Sequence, residues 1–345
     1  MASSSEVGAA AAFRDGVGRV NRAPVMLLGL VLVTFLVALP LSLVLRGMIA
    51  AHLGSSLAAG AAAAGTNYDW WQEFLAQASG LGSTFVPSII GFGAVLDNVS
   101  ALADNLPMAT AIAAAVGVWM VIWSFLSGGV LDRYARNRRT GAHGFFAAAG
   151  THFWRFVRLG VLALASYAVL FAFVHGWLLE DLYDTLTRNV TVERTAFGIR
   201  AALYLAFGLL LVAVNIVFDY ARVRIVVEDR RSAIGALAAG FRFVRRHPRT
   251  VSLYAINAAA FLLLAGLYAL AAPGAPGAGA WTWITIGIGQ LYIIGRHYLK
   301  LLFYASEVAF FQGALAHAAY TAVPPVVWPD SPAAEAITNA DAATW

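Results

Sequence analysis

In Leu209-Leu-Leu-Val-Ala-Val-Asn-Ile-Val-Phe-Asp219-Tyr-Ala-Arg222-Val-Arg224, an unbroken apolar run ends abruptly in arginines. The run belongs to a stretch covering about residues 197–218, long enough to cross the hydrocarbon of a bilayer. The connection after it holds Arg222, Arg224, Arg230, Arg231, Arg242, Arg245, Arg246 and Arg249. The same transition occurs earlier, where Arg133, Arg136, Arg138, Arg139, Arg155 and Arg158 fill one connection. Arg14, Arg19 and Arg22 precede the first apolar run. Together these are 17 of the 23 Lys and Arg in the chain. Short positive segments stay cytoplasmic during insertion, so the clustering predicts a class and an orientation at once.

Composition points the same way. Apolar residues make up 60% and charged residues 12%, against roughly 25% charged in soluble domains. The long segments are apolar all round, without the polar face that a soluble helix keeps. The net charge of +5 is a by-product of the retained arginines, so nucleic acid is not an expected partner. The absence of cysteine excludes disulfides, thiolate catalysis and cysteine metal sites.

The expected class is all-α, a polytopic bundle of six transmembrane helices with two parallel hairpin repeats and amphipathic interfacial helices. Residues 1–24 form a cytoplasmic N-terminal segment, 25–320 the transmembrane domain and 321–345 a disordered cytoplasmic tail. The spans run from Val25 to Leu45 (kinked at Pro40), Pro107 to Val130, Leu159 to Leu179, about 197–218, Val251 to Ala272, and from Trp281 through a sixth helix that reads on to about Tyr320. Both termini then lie in the cytoplasm, and the composition reads as a bacterial inner-membrane protein. An alternative reading of the first run is a cleaved signal peptide, since small residues follow at 55–65.

Within an external interfacial segment, 55–106, residues 66–106 are too long and too patterned for a plain loop. Asp69-Trp-Trp-Gln72 has the form of a capping box opening an interfacial helix. Residues 81–96 are apolar but broken by Pro87, Gly91 and Gly93, which suits a re-entrant or interfacial piece.

The two basic connections repeat a pattern. Asp132-Arg-Tyr-Ala-Arg136 and Asp219-Tyr-Ala-Arg222 close the second and fourth spans. Ala148-Ala-Gly-Thr-His-Phe-Trp-Arg155 then parallels Ala238-Ala-Gly-Phe-Arg-Phe-Val-Arg245. Segments 144–158 and 233–247 are therefore expected as paired amphipathic surface helices. Their Arg155, Arg158, Arg242, Arg245 and Arg246 are candidates for anionic lipid headgroups, each cation contributing roughly 1 kcal/mol near the surface. A structural elbow explains the same composition.

The sixth helix carries the sharpest anomaly. Tyr292, Arg296, Lys300, Phe303 and Glu307 share one helical face by their spacing. At 1.5 Å per residue, Arg296 lies roughly 22 Å beyond Trp281, inside the cytoplasmic leaflet. An unpaired guanidinium there costs at least about 2.5 kcal/mol, so it should find a carboxylate or water, with Asp132 and Asp219 the candidates at matching depth. One reading is a gate or anion site built from Arg296, Lys300, Asp132, Asp219 and Glu307. The other is an ion-pair latch, with Lys300 snorkelling to the headgroups. Asn215, Asn257 and Gln290 are polar groups within spans, read as interhelical hydrogen bonds or as ion ligands. The seven histidines form no metal-ligand spacing, so neither a metal nor a cofactor is expected. No nucleophile elbow, Walker motif or dinucleotide fingerprint occurs, and the chain is not read as an enzyme.

The Asp219-Tyr-Ala-Arg222 exit, the Glu228-Asp229 step with its Ala-Gly-Phe-Arg helix, and Gln290-Leu-Tyr…Arg296…Tyr304-Ala-Ser resemble bacterial integral membrane proteins of about six helices. More remotely, they are similar to the membrane domain attached to some glycerophosphodiester phosphodiesterases. The resemblance covers roughly the last 130 residues before the tail. It implies membrane location and fold, and it brings no catalytic domain. Two functions stay open: a non-enzymatic scaffold or lipid-associated accessory, or a small permease or channel for an ion or anionic solute. Membrane lipids are the expected partners, with a protein partner or homo-oligomer left open.

Overall fold

The computed structural model describes residues 8–64, 67–85, 100–101, 103–106, 110–272 and 280–315, whose regular structure is helical with no strand among them. In chain order the helices are α1 (Ala9–Asn21), α2 (Pro24–Leu53), α3 (Ala59–Ala64), α4 (Tyr68–Gln77), α5 (Thr110–Arg136), α6 (Ala142–Thr187), α7 (Glu193–Val227), α8 (Ala233–Arg246), α9 (Arg249–Ala271) and α10 (Ala280–Ala314). Five of the described helices, α2, α5, α6, α7 and α9, are long and apolar enough to cross a membrane. The chain is a multi-pass helical membrane protein. The expected sixth span, α10, falls outside that set, because Gln290, Arg296, His297 and Lys300 interrupt its apolar run.

Pro24 opens α2 within its first turn, where its missing N–H is not needed. Leu30 is the one buried residue along this helix, so most of its surface faces outward. Pro40 lies inside it and the helix continues on both sides. Beyond Val169, α6 relaxes into π-helical turns over Leu170–His175 and Trp177–Leu182. There His175 Nε2 lies 2.7 Å from the Ala103 carbonyl oxygen.

The buried core is concentrated at one end of the bundle, the arginine-rich end. It takes Ser127 to Ala135 from α5, Ile216 to Val227 from α7 and Leu301 to Phe311 from α10, with the inner faces of α1 and α8. Toward the other end α7, α9 and α10 present Leu205, Leu209, Leu262 and Leu291 outward. That is the expected division for a bundle whose far half is solvated by lipid.

Central to this packing is α10, which touches α1, α2, α5, α7 and α9. Two glycines set its depth and that of α8. A Cβ on Gly16 would fall 2.8 Å from the Ser306 backbone nitrogen, and one on Gly240 would fall 2.9 Å from the Val217 carbonyl oxygen. Only hydrogen fits between these backbones.

Several expectations are corrected here. Within the N-terminal segment, α1 forms and buries Ala12 and Val20 in the core, which the sequence reading did not anticipate. Residues 144–158 do not form a separate surface helix, because they run without a break into the third span. The related segment at 233–246 does stand alone as α8, separated from its flanking helices by the turns at 228–232 and 247–248. The cap of α4 is Asn67, whose side chain accepts from the Trp70 N–H at 2.8 Å, so Asp69 lies inside the first turn. Residues 86–96 and the tail 321–345 lie outside the described residues.

Candidate functional site

Where α5, α7 and α10 meet, a polar belt crosses the packed end. Asp219 and Arg222 are one turn apart on α7, and Arg222 Nη1 donates to Asp219 Oδ1 at 2.5 Å. The same nitrogen reaches Tyr304 Oη at 3.4 Å, and Trp123 Nε1 donates to that hydroxyl at 3.2 Å. Lys300 holds its ammonium 3.6 Å from the centre of the Trp123 ring. A desolvated cation on an indole face is stabilised by about 2 kcal/mol, so Lys300 turns inward rather than out to the headgroups.

Glu307 is fully enclosed one turn beyond Phe303. Its Oε2 has no hydrogen-bond partner, and Asp219 and Arg222 are its charged neighbours. On the adjoining side, Asn215 Nδ2 donates to Tyr254 Oη at 2.9 Å, and Tyr167 Oη donates to Asn215 Oδ1 at 3.4 Å. Asn257 Nδ2 donates to Ser306 Oγ at 2.9 Å, while the buried Asn257 Oδ1 has no partner. Asn215 and Asn257 thus make interhelical bonds. Gln290 does not, because it is exposed on the open half of α10.

The expected pairing of Arg296 with Asp132 or Asp219 does not form. Arg296 is exposed and lies 5.8 Å from the ring centre of Tyr292, itself stacked on Tyr268 at 4.1 Å. α5 reaches α10 through Trp119 at His297 and Trp123 at Lys300, and the largely buried stretch of α10 begins at Leu301, so one stripe of residues ends in three environments. Asp132 is taken by its own helix: Arg136 Nε bonds both of its carboxylate oxygens at 2.9 Å. The pair lines a cleft of about 340 Å³ with Arg138, Thr140, Thr151 and His152.

Around the elbow, most ions are matched. Arg155 pairs with Asp229 across 74 positions, while Arg224 (3.2 Å) and Arg230 (2.5 Å) share Glu228. Phe243 anchors the inner face of α8 against Tyr220 and Phe311, each at 4.9 Å. Its outer face carries Arg242, Arg245 and Arg246, all exposed, beside the exposed Phe241. Arg158 is also exposed, its Nε bonded to the Trp154 carbonyl at 3.2 Å.

The same layer holds a clamp that no spacing or motif in the sequence signals. Arg19 Nη1 donates to the Tyr134 carbonyl at 2.8 Å and to Gln312 Oε1 at 2.9 Å. Arg19 also pairs with Asp15, and Gln312 Nε2 donates to the Ala135 carbonyl at 2.8 Å. Tyr134 and Ala135 belong to the last turn of α5, whose carbonyls lack intrahelical partners. Among the described residues, no three His, Asp or Glu side chains converge as metal ligands. No protein-family model, curated protein or solved structure matches the chain.

Proposed function

We propose that this chain is a non-enzymatic integral protein of the bacterial inner membrane, acting as a scaffold or lipid-associated accessory. In this reading α10 is a sixth crossing, both termini are cytoplasmic and the arginine-rich end meets the anionic headgroups. One observation carries it: the packed core, the helix α8 and the exposed Arg242, Arg245 and Arg246 all lie at the same end. A transport path would need its charges free to exchange partners. Here Asp132, Asp219 and Lys300 each have a partner, and Arg296 points outward.

A second reading, a small permease for an ion or anionic solute, draws on the unpartnered Glu307 Oε2 and Asn257 Oδ1 in the belt. Vesicle reconstitution separates the two. The accessory reading expects phosphatidylglycerol to raise the melting temperature more than phosphatidylcholine, with no saturable flux of potassium, chloride or phosphate. A saturable flux that disappears in Glu307→Gln establishes the permease instead.

A further inference from the structure

We propose that the groove between α6 and the start of α8 holds one anionic phospholipid, with its phosphate between Arg158 and Arg231 and an acyl chain along the apolar wall below. The proposal deepens the lipid-associated reading and rests on it. The groove has a volume of about 580 Å³, and Val157, Arg158, Val161, Leu162, Arg231 and Ile234 line it together with the first residues of α8.

Charge complementarity names the occupant. At this elbow Arg155, Arg224 and Arg230 are each matched to Asp229 or Glu228. Arg158 and Arg231 have no carboxylate partner among the described residues, although 73 positions separate them and both face one groove. Arg158 uses only Nε within the protein, which leaves its terminal nitrogens for a ligand. The positive end of α8 faces the same space. Its Ser232 hydroxyl is already committed to the Gly235 N–H at 3.1 Å, so the arginines supply the anion's hydrogen bonds.

The wall names the rest of the ligand. Val161 is 60% and Ile234 70% exposed, an apolar strip continuing from the arginines into the lipid-crossing part of α6. Free phosphate gains nothing from that strip. A zwitterionic lipid brings an ammonium towards two unmatched guanidiniums. An anionic phospholipid satisfies both ends, and removing either guanidinium from the phosphate is expected to weaken binding about tenfold or more.

The test is native mass spectrometry of the full chain in detergent, titrated with dioleoylphosphatidylglycerol or dioleoylphosphatidylcholine. One copy of the anionic lipid should survive activation that strips the others, and zwitterionic lipid should not replace it. Arg158→Gln/Arg231→Gln should lose that copy by at least about tenfold while melting like the parent, since both side chains are exposed. Arg188→Gln/Arg194→Gln, exposed where α6 gives way to α7 at the opposite end of the bundle, should keep it, and Val161→Ser/Ile234→Ser should weaken it. Displacement by millimolar glycerol 1-phosphate or by an acidic peptide overturns a lipid occupant. If the parent shows no preference for anionic lipid, the accessory reading falls with the groove. A preference that survives unchanged in Arg158→Gln/Arg231→Gln overturns the groove alone.

Discussion

Arg19 donates through Nη1 to the carbonyl oxygen of Tyr134 at 2.8 Å, joining two residues 115 positions apart. The first helix of the chain thereby closes the C-terminal end of α5. Gln312 completes the closure from α10, so three helices that are distant in sequence share one capping arrangement.

Arg19→Gln should therefore destabilise the protein by about 3 kcal/mol, the scale of losing two or more hydrogen bonds from a charged donor. Asp15 stays partly solvated and needs no replacement partner. Thermal unfolding in detergent measures the loss. An unchanged melting temperature would show that α1 is held by its apolar face alone.

Gly16→Val should cost about 1–3 kcal/mol by overpacking and loosen α1 from α10. Ser306→Gly should not rescue it, because the Ser306 nitrogen and Cα already lie 2.8 and 2.9 Å from the introduced Cβ. Limited proteolysis near residues 20–24, read beside the melting curve, reports whether α1 has come away. Recovery in the double variant would assign the clash to the serine side chain instead.

Lys300 and Trp123 should be coupled. In a cycle of Lys300→Met, Trp123→Leu and their double, the interaction energy should come out near 1–2 kcal/mol. Trp123→Phe should retain part of it, since a smaller aromatic face remains. Additive single effects would return Lys300 to the headgroups.

Asp219→Asn should be costly, about 3 kcal/mol, since it leaves the Arg222 guanidinium without its charge partner in an enclosed site. Adding Arg222→Gln should recover much of that loss. Arg296→Gln should fall within about 0.5 kcal/mol of the parent and add independently to Asp219→Asn. Strong coupling between Arg296 and Asp219 in the melting curves would contradict the separation of these two side chains.

The Asp219–Arg222 pair was legible in principle. Residues three apart on a helix are neighbours, and Asp219-Tyr-Ala-Arg222 states the spacing. The partners Tyr304 and Trp123 were not legible as such, since neither lies near α7 in the chain and an aromatic residue in a span suits lipid equally well. The even stripe Tyr292, Arg296, Lys300, Phe303 and Glu307 misled for a related reason. Spacing gives a shared face, but enclosure depends on where neighbouring helices end, and α5 and α7 cover only its later part.

The class follows from residue order alone: helical, multi-pass, with the cations gathered at one end. Each apolar run must satisfy its own backbone hydrogen bonds in lipid, and charge placement follows from the cost of carrying arginine across. Partnership came from the packing of the helices. Arg19 joined α5, Asp132 turned to Arg136, Lys300 settled on Trp123, and Arg158 and Arg231 were left facing one groove. Such pairings depend on the depth at which helices meet, set by features such as the absent side chain at Gly16, and residue type alone does not state that depth.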